Sequence, residues 1–197
     1  MRLAIGALVA LMASVAPAEA IWVDLTPEQL QEAIAHGKVS YERWRGAGRA
    51  IDDLDPEYVV ELDPDVGRAM LFTEFSTLAL ETRRWLAINR RLTPRDVQRL
   101  LARVRGRLLF SVTVVGPDRN FLRQYRVHLS QGSARKQPAS WNVFRGTPAP
   151  DFPSRFIAHA QYTFSVEGLD PSVPVTLVLR GPDSAELRFD FDLSRLR

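Results

Sequence analysis

Residues 185–193 read AELRFDFDL, in which Leu187, Phe189, Phe191 and Leu193 alternate with Glu186, Arg188, Asp190 and Asp192. A period of two places the apolar set on one side of an extended chain and the charged set on the other, the pattern of an antiparallel strand with one buried and one wet face. Traced back toward the N-terminus, this period persists as far as Leu108, interrupted by Gly, Pro and Asp. It predicts strands at 108–115, 121–129, 140–145, 156–166, 173–180 and 185–193. Six such strands joined by short turns favour two sheets packed face to face, immunoglobulin-like in architecture but without the Cys-Trp-Cys arrangement of antibody domains.

Two stretches within that half resemble each other: VTVVGPDRNFLRQYRVHLS from Val112 and VTLVLRGPDSAELRFDFDLS from Val175. Each reads as a hairpin, with a Val-Thr strand, a Gly-Pro-Asp turn and a second alternating strand. The longer loops are expected at 131–137 and 146–153. Loops on a rigid sandwich are where binding residues commonly sit.

Upstream of Leu108 the spacing becomes helical. Thr26-Pro27-Glu28-Gln29 supplies a cap, a proline suited to the first helical position and a capping-box partner, and Gly37 is read as the stop. Thr93-Pro94 repeats this arrangement with Asp96 in the first turn, Val97, Leu100, Leu101 and Val104 on one face, and Gly106 as the stop. Between them, Phe75, Leu78, Ala79, Thr82, Trp85 and Leu86 mark a helix from about Glu74 to near Asn89. Residues 38–72 carry Gly46, Gly48, Pro56 and Pro64 and read as irregular with one or two strands, one of them at Tyr58 to Leu62. The expected fold is therefore α+β: a helical N-terminal part at 21–106 beside, or inserted into, an antiparallel β-sandwich at 107–197.

Residues 1–20, MRLAIGALVALMASVAPAEA, combine a basic start at Arg2, an apolar run from Leu3 to Val15 and the small-residue exit Ala18-Glu19-Ala20. That is the pattern of a secretory signal peptide cut after Ala20. Its apolar run is shorter than the roughly 20 residues of a spanning helix, and no later segment supplies one, so no integral membrane span is expected. The absence of Cys excludes disulfides, thiolate catalysis and Cys-containing zinc sites. The formal charge is +3 and the basic residues are nearly all Arg, with Lys only at Lys38 and Lys136. That imbalance is read as codon bias, and the modest charge as a mild preference for anionic partners.

The charge distribution is more informative. Between residues 83 and 107 nine arginines face the single carboxylate Asp96. On a helix, Arg95, Arg99 and Arg103 fall opposite the apolar face and form a cationic ridge, the candidate binding surface for phospholipid headgroups or another acidic polymer. A solvated helix face is the plainer reading of the same row. Residues 52–65 gather Asp52, Asp53, Asp55, Glu57, Glu61, Asp63 and Asp65 without the spacing or central Gly of a calcium loop. His36 follows Glu32 by four residues, which supplies two metal ligands but no third. His128 and His159 fall on the polar sides of their strands, no Gly-x-Ser-x-Gly elbow is present, and Trp44 is expected to anchor a glycine-rich loop.

No catalytic, metal or cofactor motif stands out, so no cofactor, catalytic residue or metal site is expected. Nucleic acid is not an expected partner, because no aromatic-interleaved basic motif accompanies the arginines. The reading is an exported, non-enzymatic binding or assembly module of the bacterial periplasm or cell envelope, with a protein or an anionic envelope polymer as partner. A periplasmic hydrolase with a site assembled from scattered Asp, Glu, His and Ser is the alternative.

Overall fold

The computed structural model describes residues 24–47, 54–152 and 154–196, so the signal-peptide segment and Asp52 and Asp53 lie outside the described residues. Three helices, α1 (Pro27–Ala47), α2 (Glu74–Ala87) and α3 (Pro94–Val104), precede most of the strands. The strands are β1 (Val59–Glu61), β2 (Gly67–Phe72), β3 (Arg107–Gly116), β4 (Arg126–Gln131), β5 (Ala134–Lys136), β6 (Ser140–Val143), β7 (Thr147–Pro148), β8 (Phe156–Ser165), β9 (Val175–Arg180) and β10 (Glu186–Phe191). They form two antiparallel sheets, one ordered β1-β2-β3-β8-β6 with β7 also on β8, the other β10-β9-β4-β5.

The sheets pack through the alternation that the sequence displays. Leu108, Phe110, Val112 and Val114 of β3 and Ala158, Ala160, Tyr162 and Phe164 of β8 share one core with Val127, Leu129, Leu177, Leu179, Phe189 and Phe191 of the other sheet. Phe110 bridges the layers, with ring centroids 5.6 Å from Phe164 and 5.4 Å from Phe191, both edge to face. Each fully buried Phe or Leu contributes roughly 1.5–3 kcal/mol relative to exposure, so this layer dominates the stability of the fold.

The helices gather round a smaller cluster of their own, built on Leu25, Ala33, Phe75, Leu78 and Leu101. Thr73 and Thr93 cap α2 and α3 through reciprocal bonds with Ser76 and Asp96, and Thr26 and Gln29 exchange the equivalent pair ahead of α1. Gly106, with φ of +65°, ends α3 as its position predicts, while Asn89, with φ of +56°, follows the end of α2. Glu74 ties this unit together: its buried carboxylate accepts from the backbone N–H groups of Gly106 at 3.2 Å and Asp24 at 3.4 Å.

Several expectations are corrected. Gly37 does not stop α1, which continues to Ala47; the glycine instead sits where α1 presses against α2. Trp44 is consequently a helical residue, set against Tyr41 with ring centroids 5.7 Å apart and planes tilted by 32°, and does not anchor a loop. The strand expected at 121–129 begins as a 3-10 turn, Phe121–Gln124, before β4. The stretch from Val112 is not a hairpin, because β3 and β4 lie in different sheets. Phe121 packs under Gly116, and the 3-10 turn carries the chain across the sandwich. Only the stretch from Val175 is a true hairpin, although both turns carry the same Asp bond, from Asn120 to Asp118 and from Ala185 to Asp183. The expected loops at 131–137 and 146–153 contain β5 and β7.

Candidate functional site

The site is produced by a strand that stops early. Gly132, with φ of +56°, stands first in the two-residue turn between β4 and β5, a conformation glycine adopts without cost. β5 then pairs only with Leu129, Ser130 and Gln131 before Gln137 and Pro138 carry the chain over to β6 in the opposite sheet. Arg126, Val127 and His128 therefore have β9 on one side and no strand on the other. The gap left at this edge of the sandwich is a cleft of about 550 Å³, within the range of ligand sites.

Its walls differ in chemistry according to the pleat. Val127, Val143, Tyr162 and Trp141 face the interior side, and Trp141 keeps 66% of its surface exposed at the mouth. Arg126, His128 and Arg180 project from the outer face of β4 and β9, joined by Arg135 from β5, while Arg123 and Tyr125 enter from the 3-10 turn and its exit. Among the described residues no carboxylate lines the cleft. Arg180 is held by Glu186 just outside it at 2.5 Å, and Arg180 and Arg188 keep that carboxyl below the usual range. Arg123, Arg126 and Arg135 make no ion pair among the described residues.

Burial and charge both act on the ionisable groups of the cleft. Burial lowers the pKa of His128 and the neighbouring Arg135 lowers it further, against the pull of Glu186, and the net lowering favours the neutral ring. Burial pushes Tyr162 up to about 12, so its phenol stays a hydrogen-bond donor. Three unpaired guanidiniums, a neutral imidazole and an exposed indole favour an anionic group carrying an apolar or planar portion, through forked hydrogen bonds and ring contact.

The residues singled out by the sequence lie elsewhere. Arg95, Arg99 and Arg103 are exposed along α3, with Asp96 3.9 Å from Arg99, and none of them lines the cleft. Other arginines of the same run are engaged: Arg83 is buried and donates to Ser40 at 2.9 Å, Arg84 pairs with Glu81, and Arg105 pairs with Asp24. His36 is in the middle of α1, where Nε2 meets Asp55 Oδ2 at 2.5 Å. This pair, with Ser40, Ser76 and Arg83, borders a cavity of about 20 Å³, the size of a single water site. His159 is exposed and bonded to Thr113 at 2.9 Å. Among the described residues no group of three or more His, Cys, Asp or Glu is placed to hold a metal ion, and no helix is long and apolar enough to cross a membrane. Of the acidic stretch, Asp65 is paired with Arg155 and Asp55 with His36.

No family model matches the chain, and no curated protein matches its sequence. Among solved structures, the archaellum periplasmic stator protein FlaG from Sulfolobus acidocaldarius is similar over 44% of this chain and 86% of that one, with 10% identity and a TM-score of 0.30.

Proposed function

We propose that this chain is an exported, non-enzymatic binding or assembly module of the bacterial periplasm or cell envelope, and that its protein or polymer partner presents an anionic group to the edge cleft. The observation that carries this reading is the set Arg123, Arg126 and Arg135, unpaired among the described residues, around an exposed Trp141 in a cleft without a carboxylate. A concave cluster of guanidiniums with no carboxylate among the residues that line it concentrates positive potential. The export part of the reading rests on the leader-like residues 1–20.

The test compares two charge-reversed proteins with the parent: Arg123, Arg126 and Arg135 all changed to Glu, and Arg95, Arg99 and Arg103 all changed to Glu. Binding to dextran sulfate and to phosphatidylglycerol vesicles is measured at low and physiological salt. The expected result is salt-weakened binding by the parent, lost in the cleft variant and kept in the α3 variant. Loss in the α3 variant alone would move the site to the helical ridge, and no salt-dependent binding by the parent would remove the reading. Hydrolase turnover abolished by His128→Ala in a folded protein would replace it with an enzyme.

A further inference from the structure

Resting on that reading, we propose that the cleft takes an extended segment of a partner protein as an additional antiparallel strand on the free edge of β4, with acidic and apolar side chains alternating along the guest. Three consecutive residues, Arg126, Val127 and His128, all line the cleft although their side chains alternate between the two faces of the sheet. A cavity touching successive residues of one strand runs along its edge. β6 contributes only Trp141 and Val143, two residues from one face, so the cleft meets the face of β6 and the edge of β4.

The main chain at that edge points outward, which follows from either neighbour. On the β5 side, Gln131 and Ala134 flank a two-residue turn and so form a hydrogen-bonded pair. Bonded pairs then recur at every second residue, Leu129 with Lys136 and, next, Val127. On the β9 side, the N–H of Gly181 donates to Ala185 at 2.8 Å, which commits the odd residues of β9 to β10 and the even ones to β4. Those even residues oppose Arg126, His128 and Ser130, again leaving the N–H and C=O of Val127 directed into the cleft. The β5 pairing ends at Leu129 with Lys136; continued by one more bonded pair it would set Pro138 against Val127, and a proline has no N–H to offer there.

A guest strand on this edge has its side chains sorted by the pleat. The residue opposite Val127 shares its face and meets Trp141 and Tyr162, while the residues before and after it meet Arg126, His128 and Arg135. Apolar and acidic side chains in alternation match that arrangement, with main-chain bonds giving affinity and the two walls giving specificity. An acidic polymer without a peptide backbone satisfies only the arginines, so the outward-facing Val127 groups favour a protein segment.

The experiment titrates the full chain with fluorescently labelled synthetic nine-residue peptides alternating Glu with Leu or Phe. One control has the same composition in two blocks, a second is N-methylated at the apolar residues, and a third is N-methylated at the acidic residues. In antiparallel pairing the guest residue opposite Val127 is apolar and donates its N–H, so methylation at the apolar residues should weaken binding at least tenfold and methylation at the acidic ones should be tolerated. The blocked peptide should bind weakly, and exchange of the Val127 amide hydrogen should slow when the alternating peptide is bound. Equal binding of all four peptides with unchanged Val127 exchange would overturn strand addition while leaving an anionic ligand in place. Binding of dextran sulfate but of no peptide would overturn it in favour of a polymer, and binding of neither probe would remove the underlying reading as well.

Discussion

A methyl group on Gly37 would lie 2.4 Å from the carbonyl oxygen of Ala79 and 2.7 Å from Cβ of Thr82. Both are rigid parts of α2, so α1 and α2 owe their close approach to the missing side chain. Gly37→Ala removes the glycine penalty of about 1 kcal/mol within a helix, but it overpacks a contact that cannot relax without moving one helix. The expected net effect is a loss of about 1–3 kcal/mol, read as a lower urea midpoint. An unchanged or raised midpoint would show that the helices separate freely.

On α3 the buried and exposed faces are separated by one or two residues. Leu101 is 6% exposed and packs with Phe75 and Leu78, whereas Leu100 is half-buried and Arg99 is exposed. Leu101→Asp should cost about 3 kcal/mol or more by burying an uncompensated polar group in place of an apolar one, while Arg99→Asp should stay within about 0.5 kcal/mol. Thermal unfolding of the two proteins side by side decides this, and similar midpoints would mean that α3 presents a different face.

Asp55 joins the stretch before β1 to α1 through His36. The His36 bond holds its carboxyl below the ordinary value of 3.8, against the opposing effect of burial, and the charges of Arg83 and Arg43 act in the same direction as the bond. The unfolded chain therefore takes up a proton more readily than the native one as pH falls past that value. The stabilisation from this carboxylate is complete above the unfolded pKa and is lost as pH drops through the native one. The stability gap between the parent and Asp55→Asn should accordingly be present at about pH 6 and shrink toward about pH 3. Urea titrations across that range test it, and a constant gap would mean that the ionised carboxylate contributes nothing.

His128 couples the edge cleft to pH. Burial first, and then the charges of Arg135, Arg180 and Arg188, lower its pKa below 6.5, opposed by Glu186. A bound carboxylate offsets those positive charges and raises the pKa in the complex. By reciprocity an acidic peptide should bind more tightly as pH falls from about 7.5 to about 5.5, while its own carboxylates remain ionised. His128→Ala should remove the trend without abolishing binding. A flat profile in the parent would show that the imidazole does not face the ligand.

The parts of the fold written in a local period are legible in the chain. Alternation places β3, β8 and β10 within a residue or two of their positions, the apolar face from Phe75 to Leu86 places α2, and the Thr93-Pro94 pair marks where α3 begins. Glycine is ambiguous at this level: Gly106 is a stop and Gly37 is a contact, and it takes Ala79 and Thr82, distant in sequence, to distinguish them. β2 is not legible in this way, because GRAMLF buries just Ala69 and Leu71 and its four apolar residues run on without alternating with polar ones. The α3 arginines are visible as a group because one helix spaces them. Arg123, Arg126, Arg135, Trp141 and Arg180 are not, since their meeting depends on where β5 ends and on the chain's change of sheet, events outside any short window.

Phe72 closes β2 and is the register partner of Leu109 near the start of β3, so α2 and α3 depart from and return to neighbouring points on one sheet. Their apolar cluster is separate from the one between the sheets. The helical excursion is thus an insertion whose ends are already held together by strand pairing. Substitutions confined to the outward face of its helices are therefore expected to leave the rungs between β2 and β3 where they are.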